Sequence, residues 1–195
     1  MLIGLTGLAW GAIELALRLR LLFRPGLRAR LPGLHAGTRA RLREWTFYLV
    51  VASLLTAIVL AGWLSSFGWA AMGGGLAVVI IAESLLVAGV ALRVWAILTL
   101  DKFFTFIVGI ADDHRVVRDG PYRFVRHPGY AGALLGLLGI GVGLGNWLSV
   151  LTLVVIPVAA LAVRINVEEA TLVSALGDQY RAYARQTNGL IPGVW

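Results

Sequence analysis

Hydrophobic residues in this chain fall in long blocks, and the charge is gathered between them. Leu2 to Leu17 is interrupted only by Glu14, Trp45 to Phe67 carries no charge, and Leu76 to Leu100 contains only Glu83 and Arg93. A last block, Ala131 to Val163, is divided by Gly143-Leu144-Gly145-Asn146. A membrane-spanning helix needs about 20 such residues, so the pattern predicts an all-α membrane protein with about five transmembrane segments. The first block lacks a basic leader and a small-residue cleavage site, and reads as a retained, slightly short span. Trp45, Tyr48, Trp63 and Trp69 are placed as interfacial anchors of the second. The third is about 37 Å long as a helix, so it tilts or projects. The last block predicts a helical hairpin (131–163) with short arms that reach only partly across, glycines that allow close helix contact and a kink at Pro157.

The polar intervals set the topology. Eight arginines lie between Arg18 and Arg43, with Pro25-Gly26 and Pro32-Gly33 breaking any long helix and His35 as an exposed loop residue. Lys102, Arg115, Arg118, Arg123 and Arg126 mark a central loop, and Arg164, Arg181 and Arg185 a tail. With Arg93 these are all 17 basic residues, leaving none for the two remaining turns. The positive-inside bias then puts the N-terminus outside and both polar clusters on the cytoplasmic side. The expected organisation is one structural unit: residues 1–100 supply three spans and the Arg-rich loop 18–43, and residues 101–195 supply a core of hairpin and C-terminal cytoplasmic helices. FFTFIVGI (103–110) is too short to span and reads as a strand or an interfacial segment. In the tail, Arg164, Glu168 and Thr171 share one helical face; Gly177 ends that helix and Asp178 caps a short one bearing Tyr180 and Tyr183. Glu14, Glu83 and Arg93 are ionisable groups in the bilayer. Glu83 and Arg93 are too far apart to pair; Glu83 reads as a structural hydrogen-bonding group, and Arg93 is free to snorkel.

Composition narrows the chemistry. The chain is 59% hydrophobic and 14% charged, with a mean hydropathy of +0.84. It contains no cysteine, which excludes disulfides, thiol catalysis and thiolate metal sites. A net charge of +7 carried beside apolar spans suits anionic lipid rather than nucleic acid. No H-E-x-x-H, nucleophile elbow or P-loop is present, against zinc, serine and nucleotide hydrolysis, and no metal is expected.

The candidate chemistry lies in Asp113 to Gly132, DHRVVRDGPYRFVRHPGYAG, which holds His114, Tyr122, His127 and Tyr130. Pro128 cannot donate and biases His127 toward extended backbone, so the imidazole stands at a helix start. Arg164, where the last span meets the cytoplasm, presents a planar fork that matches a carboxylate. Plainer readings exist: an Arg164–Glu168 surface ion pair, a capping His127, and Tyr122 and Tyr130 as interfacial anchors. Their common placement on one membrane face favours a shared pocket.

GPYRFVRHPGYAG, followed by R-x-x-x-EE-x-x-L-x-x-x-x-G-x-x-Y-x-x-Y and then L-I-P, resembles the isoprenylcysteine carboxyl methyltransferase family over roughly residues 101–195. The resemblance implies an integral enzyme of a prokaryotic cell membrane that uses S-adenosylmethionine to esterify the carboxylate of an isoprenylcysteine or other lipophilic acceptor. It implies that His114, Arg115, Val116 and Val117 line the cofactor site. Tyr122 and the run His127, Pro128, Gly129 and Tyr130 would enclose the adenosyl part, Glu168 would hold its amino or ribose groups, and Arg164 would meet the acceptor carboxylate. The cofactor pocket would open on the cytoplasmic side. The competing readings are a phospholipid N-methyltransferase, an NADPH-dependent enzyme of the sterol-reductase type, and a non-catalytic membrane protein.

Overall fold

The computed structural model describes residues 10–14, 16, 38–101 and 116–191. Most of the first span, the loop through residue 37 with His35, the segment 103–110, and His114 and Arg115 lie outside the described residues. Among the described residues the protein is all helical, with two isolated bridges and no strand. Helix α1 spans Thr38–Leu64, α2 Leu76–Leu100, α3 Pro128–Gly143, α4 Trp147–Leu176 and α5 Asp178–Ala184. Three of these, α1 (over Glu44–Leu64), α2 and α4, are long and apolar enough to cross a membrane. Their exposed faces carry Leu55, Ile58, Val59, Ile80, Val87, Leu151 and Val155. In water such a surface would be costly; in a bilayer it is the solvated face.

Breaks in the hydrophobic pattern fix the helix ends. Ser65 and Ser66 turn their hydroxyls back onto the carbonyls of Gly62 and Trp63, at 2.6 and 2.7 Å, where α1 runs out of amide donors. Asn146 caps α4: its Oδ1 accepts from the amides of Leu148 and Ser149. The same side chain donates to Phe67 O at 3.0 Å, and Met72 N donates to Gly145 O at 2.7 Å. The loop after α1 and the α3–α4 turn are therefore one end of the molecule.

In one respect the hairpin departs from its sequence expectation. Its first arm is short, 16 residues, but its second continues through the buried Pro157 and past Arg164 for 30 residues, until Gly177 at φ 55° ends it. Proline removes one donor, and packing of Leu153, Ala160 and Leu161 holds the helix on either side. Asp178 does not cap α5; the N-cap is Gly177, and Asp178 instead accepts from Arg181 at 2.8 Å.

Helix α3 packs against α2 and α4, and α1 packs chiefly on α4 rather than on its sequence neighbour α2. Ala57 and Ala61 of α1, Leu137 of α3 and Leu153 of α4 form a buried cluster where three helices meet. Ser149 donates to Ala61 O at 2.7 Å within it. The α2–α3 contact is tighter still. A Cβ on Gly89 would lie 2.4 Å from Gly136 N and 2.6 Å from Gly132 O, so only hydrogen lets the two backbones meet. Gly89→Ala should therefore lower thermal stability in detergent. Gly62→Ala, on α1 with nothing within 4 Å of the added carbon, should raise it by up to about 1 kcal/mol through helix propensity. Equal effects from the two would contradict the close contact.

Candidate active site

Helix geometry puts the chemistry at one depth. Arg164 lies about 26 Å along α4 from its first residue, and Glu168 about 32 Å, at 1.5 Å per residue. The hydrocarbon core is about 30 Å thick. Arg164, Glu168 and Glu169 thus reach the membrane boundary opposite the α3–α4 turn.

The Gly120–Arg123 turn and the start of α3 bring the polar stretch to that place. Gly120 has φ 54°, and the turn buries Pro121 and Tyr122. The next residues are clasped by the tail: Arg126 N donates to Asn188 O at 2.8 Å and His127 N to Gly189 O at 3.0 Å. His127 sits immediately before α3, which opens at Pro128 as the sequence implies. Its ring stacks on that of Tyr130, with centroids 5.7 Å apart.

Two adjacent carboxylates on α4 divide the work. Glu169 Oε1 accepts from Arg126 Nε at 2.6 Å and lies 3.0 Å from His127 Nε2. Arg126 Nη1 also donates to the carbonyls of Ala184 (3.0 Å) and Thr187, stitching the tail to the same point. Glu168 turns the other way: its Oε2 accepts from the Tyr130 hydroxyl at 2.8 Å. That hydroxyl accepts in turn from Arg164 Nε at 2.7 Å. Arg164 is only 5% exposed, so it is no surface ion pair. Its Nη1 lies 3.5 Å from Thr46 Oγ1, and its guanidinium 6.0 Å from the Phe47 ring, both on α1.

Around this line stand buried phenols. Tyr183 donates to Tyr122 O at 2.6 Å. Burial first, then the charge of Glu168, pushes the Tyr122 phenol well above its ordinary range. Burial likewise raises Tyr183, to about 12. Both stay neutral at physiological pH and serve as fixed dipoles.

Arg93 does not snorkel. Its guanidinium forks onto Glu14, with Nη2 3.2 Å from Oε2, and Nη1 donates to Gly129 O at 2.9 Å. The intramembrane pair therefore anchors the first turn of α3, the turn that carries Tyr130.

Of the candidates from sequence, Tyr122, His127, Pro128, Gly129, Tyr130, Arg164 and Glu168 converge at one end of the bundle. Val116 and Val117 are half-buried in the chain leading to it. Glu169, Arg126, Arg93, Glu14 and Thr46 join them without having been singled out as site residues. The signals available in sequence were the Glu168-Glu169 doublet and the charges of Glu14 and Arg93 within apolar blocks; Arg126 and Thr46 are set by contacts across the chain.

The donor set suits a sulfonium cofactor with an ammonium and a ribose. It offers a carboxylate (Glu168), neutral aromatic walls, and the Tyr180 hydroxyl, which is buried with no hydrogen-bond partner among the described residues.

Comparison with known proteins points the same way. The profile of the isoprenylcysteine carboxyl methyltransferase (ICMT) family matches residues 79–174. A protein-S-isoprenylcysteine O-methyltransferase of Schizosaccharomyces pombe is 38% identical over 106 residues, 53% of this chain and 45% of that protein. Protein-S-isoprenylcysteine O-methyltransferase A of Arabidopsis thaliana is 32% identical over 148 residues, 75% of this chain and 71% of that protein. A solved structure of the eukaryotic intramembrane Ras methyltransferase ICMT superposes with a TM-score of 0.57 at 27% identity, covering 75% of this chain and 52% of that one. The chain thus spans about half the length of several of the relatives it matches. With fold and sequence in agreement, this integral membrane protein belongs to the isoprenylcysteine carboxyl methyltransferase family.

Proposed function

We propose that the protein is an S-adenosylmethionine-dependent membrane methyltransferase that esterifies the carboxylate of an isoprenylcysteine-like lipid at the cytoplasmic face. The observation that carries this reading is the buried line Arg164–Tyr130–Glu168 at the membrane boundary. It sets a cation for an acceptor carboxylate beside an anion suited to a cationic donor. When bound, S-adenosylmethionine supplies an electrophilic methyl group. Glu168 would hold its amino or ribose groups, with Tyr122 and the His127–Tyr130 segment around the adenosyl part.

The chain's own residues then have a limited task. A carboxylate acceptor, with pKa near 4, is ionised at neutral pH and needs no general base. Arg164 orients it, and the Tyr130 hydroxyl and Thr46 hold Arg164 in place. Burial of Arg164 excludes water from the acceptor, which strengthens every charge interaction there. The apolar tail of the acceptor stays in the bilayer beside α1 and α4. An amine acceptor would instead require a base to remove its proton. His127, the one imidazole among the described residues, has its Nε2 engaged by Glu169.

Titration in detergent with S-adenosylhomocysteine and with NADPH tests the class of enzyme. Saturable binding of the first and none of the second is expected; the reverse would replace this reading with the reductase. The site's compartment is tested by single cysteines, which the cysteine-free sequence makes clean. Exposed Ser66 and Leu144 sit at one end and exposed Arg185 at the other. Cysteines at the first two should react with an impermeant thiol reagent in intact cells, and one at Arg185 only after lysis. Reversed labelling would put the site outside.

A further inference from the structure

We infer that Tyr180 is a further cofactor-binding residue, its buried hydroxyl, unpartnered among the described residues, accepting a hydrogen bond from the ammonium at the amino-acid end of the methyl donor. The inference rests on the methyltransferase reading and deepens it. Buried hydroxyls in native proteins are nearly always paired. The neighbouring phenols follow the rule: Tyr183 bonds to Tyr122 O, and Tyr130 to Glu168 and Arg164. Tyr180, 4% exposed, finds no partner among the described residues. Packing against Tyr183, at 5.9 Å and edge-on, needs only a phenyl ring, so the hydroxyl has some other use.

Its position indicates which use. Tyr180 lies on α5, one turn before Ala184, whose carbonyl is bonded to Arg126. Arg126 is in turn paired with Glu169, so among the described residues the charges facing Tyr180 are Glu169, Arg126 and Glu168. Glu169 and Arg126 offset each other, which leaves the carboxylate of Glu168 to set the local field. Burial keeps the phenol protonated beside these carboxylates. A ligand carboxylate would be repelled there. A ligand ammonium is attracted, and a phenol oxygen has lone pairs to receive one of its three protons.

Tyr180→Phe in the full-length protein isolates the hydroxyl. Calorimetric titration should show S-adenosylhomocysteine binding weakened about 10-fold or more, as for a hydrogen bond to a charged group. Binding of 5′-methylthioadenosine, which lacks the amino-acid end, should be unchanged. The melting temperature of the ligand-free protein should be equal or higher, since the variant removes an unpaired buried polar group. Equal S-adenosylhomocysteine affinity in variant and wild type would overturn the assignment, as would equal losses for the two ligands. A lower ligand-free melting temperature with unchanged affinity would assign the hydroxyl to structure instead. Wild-type protein that bound neither ligand would overturn the methyltransferase reading itself, and this inference with it.

Discussion

Arg164→Ala should reduce methyl transfer to a carboxylate acceptor by about 100-fold or more, while weakening S-adenosylhomocysteine binding far less. A charge-assisted bond to the acceptor is worth about 1.5–3 kcal/mol, and loss of its orientation adds to that in the rate. Cofactor binding should not be wholly spared, because Arg164 Nε holds the Tyr130 hydroxyl that holds Glu168. Arg164→Lys keeps charge but cannot bond Tyr130, Thr46 and an acceptor with one planar group, so it should rescue only partly. Glu168→Ala should show the opposite balance, with cofactor affinity falling first. Turnover and affinity measured on these three variants separate the roles. Full turnover by Arg164→Ala would remove Arg164 from the acceptor site.

The second large effect is on stability. Glu169→Ala strips the carboxylate from Arg126 and His127, whose side chains are 13% and 4% exposed. Removing one partner of a buried pair costs about 3–5 kcal/mol, and the partial exposure of Glu169 places this case near about 3. The loss should be local as well as global. The amides of Arg126 and His127, bonded to Asn188 and Gly189, should exchange hydrogen faster as the tail loosens. Unchanged melting and unchanged exchange at these two amides would mean that the Arg126–Glu169–His127 cluster holds nothing together.

These two clusters also mark where sequence stops informing. Helix α2 was legible to its ends, because a glycine run precedes Leu76 and the apolar block stops at Asp101. The α3–α4 turn and the start of α3 after His127 were legible for similar reasons, since glycine, asparagine and proline act locally. The end of α4 at Gly177 was legible too, but its continuity was not. The hairpin block stops at Val163 in one dimension and the polar tail begins at Arg164, yet Arg164 is buried against Tyr130 and Thr46 within one unbroken helix.

The site shows the same division. Arg164 and Glu168 were singled out by spacing, but the hydroxyl that joins them comes from Tyr130, 34 residues from Arg164. Arg93 was flagged because an arginine in a bilayer demands an explanation, while its partner Glu14 is 79 residues away. Helical periodicity reports faces within a helix; it carries no information on which faces meet. The family resemblance supplied residue roles that spacing alone left open, and the geometry supplies the connections between them.

The most direct test of the account uses purified protein, methyl-labelled S-adenosylmethionine and two acceptors, an N-acetylated S-isoprenylcysteine and phosphatidylethanolamine. Label is expected in the isoprenylcysteine, as an ester that mild alkali releases as methanol, and none in the phospholipid. Alkali-stable label on the phospholipid amine, with the isoprenylcysteine unlabelled, would contradict it.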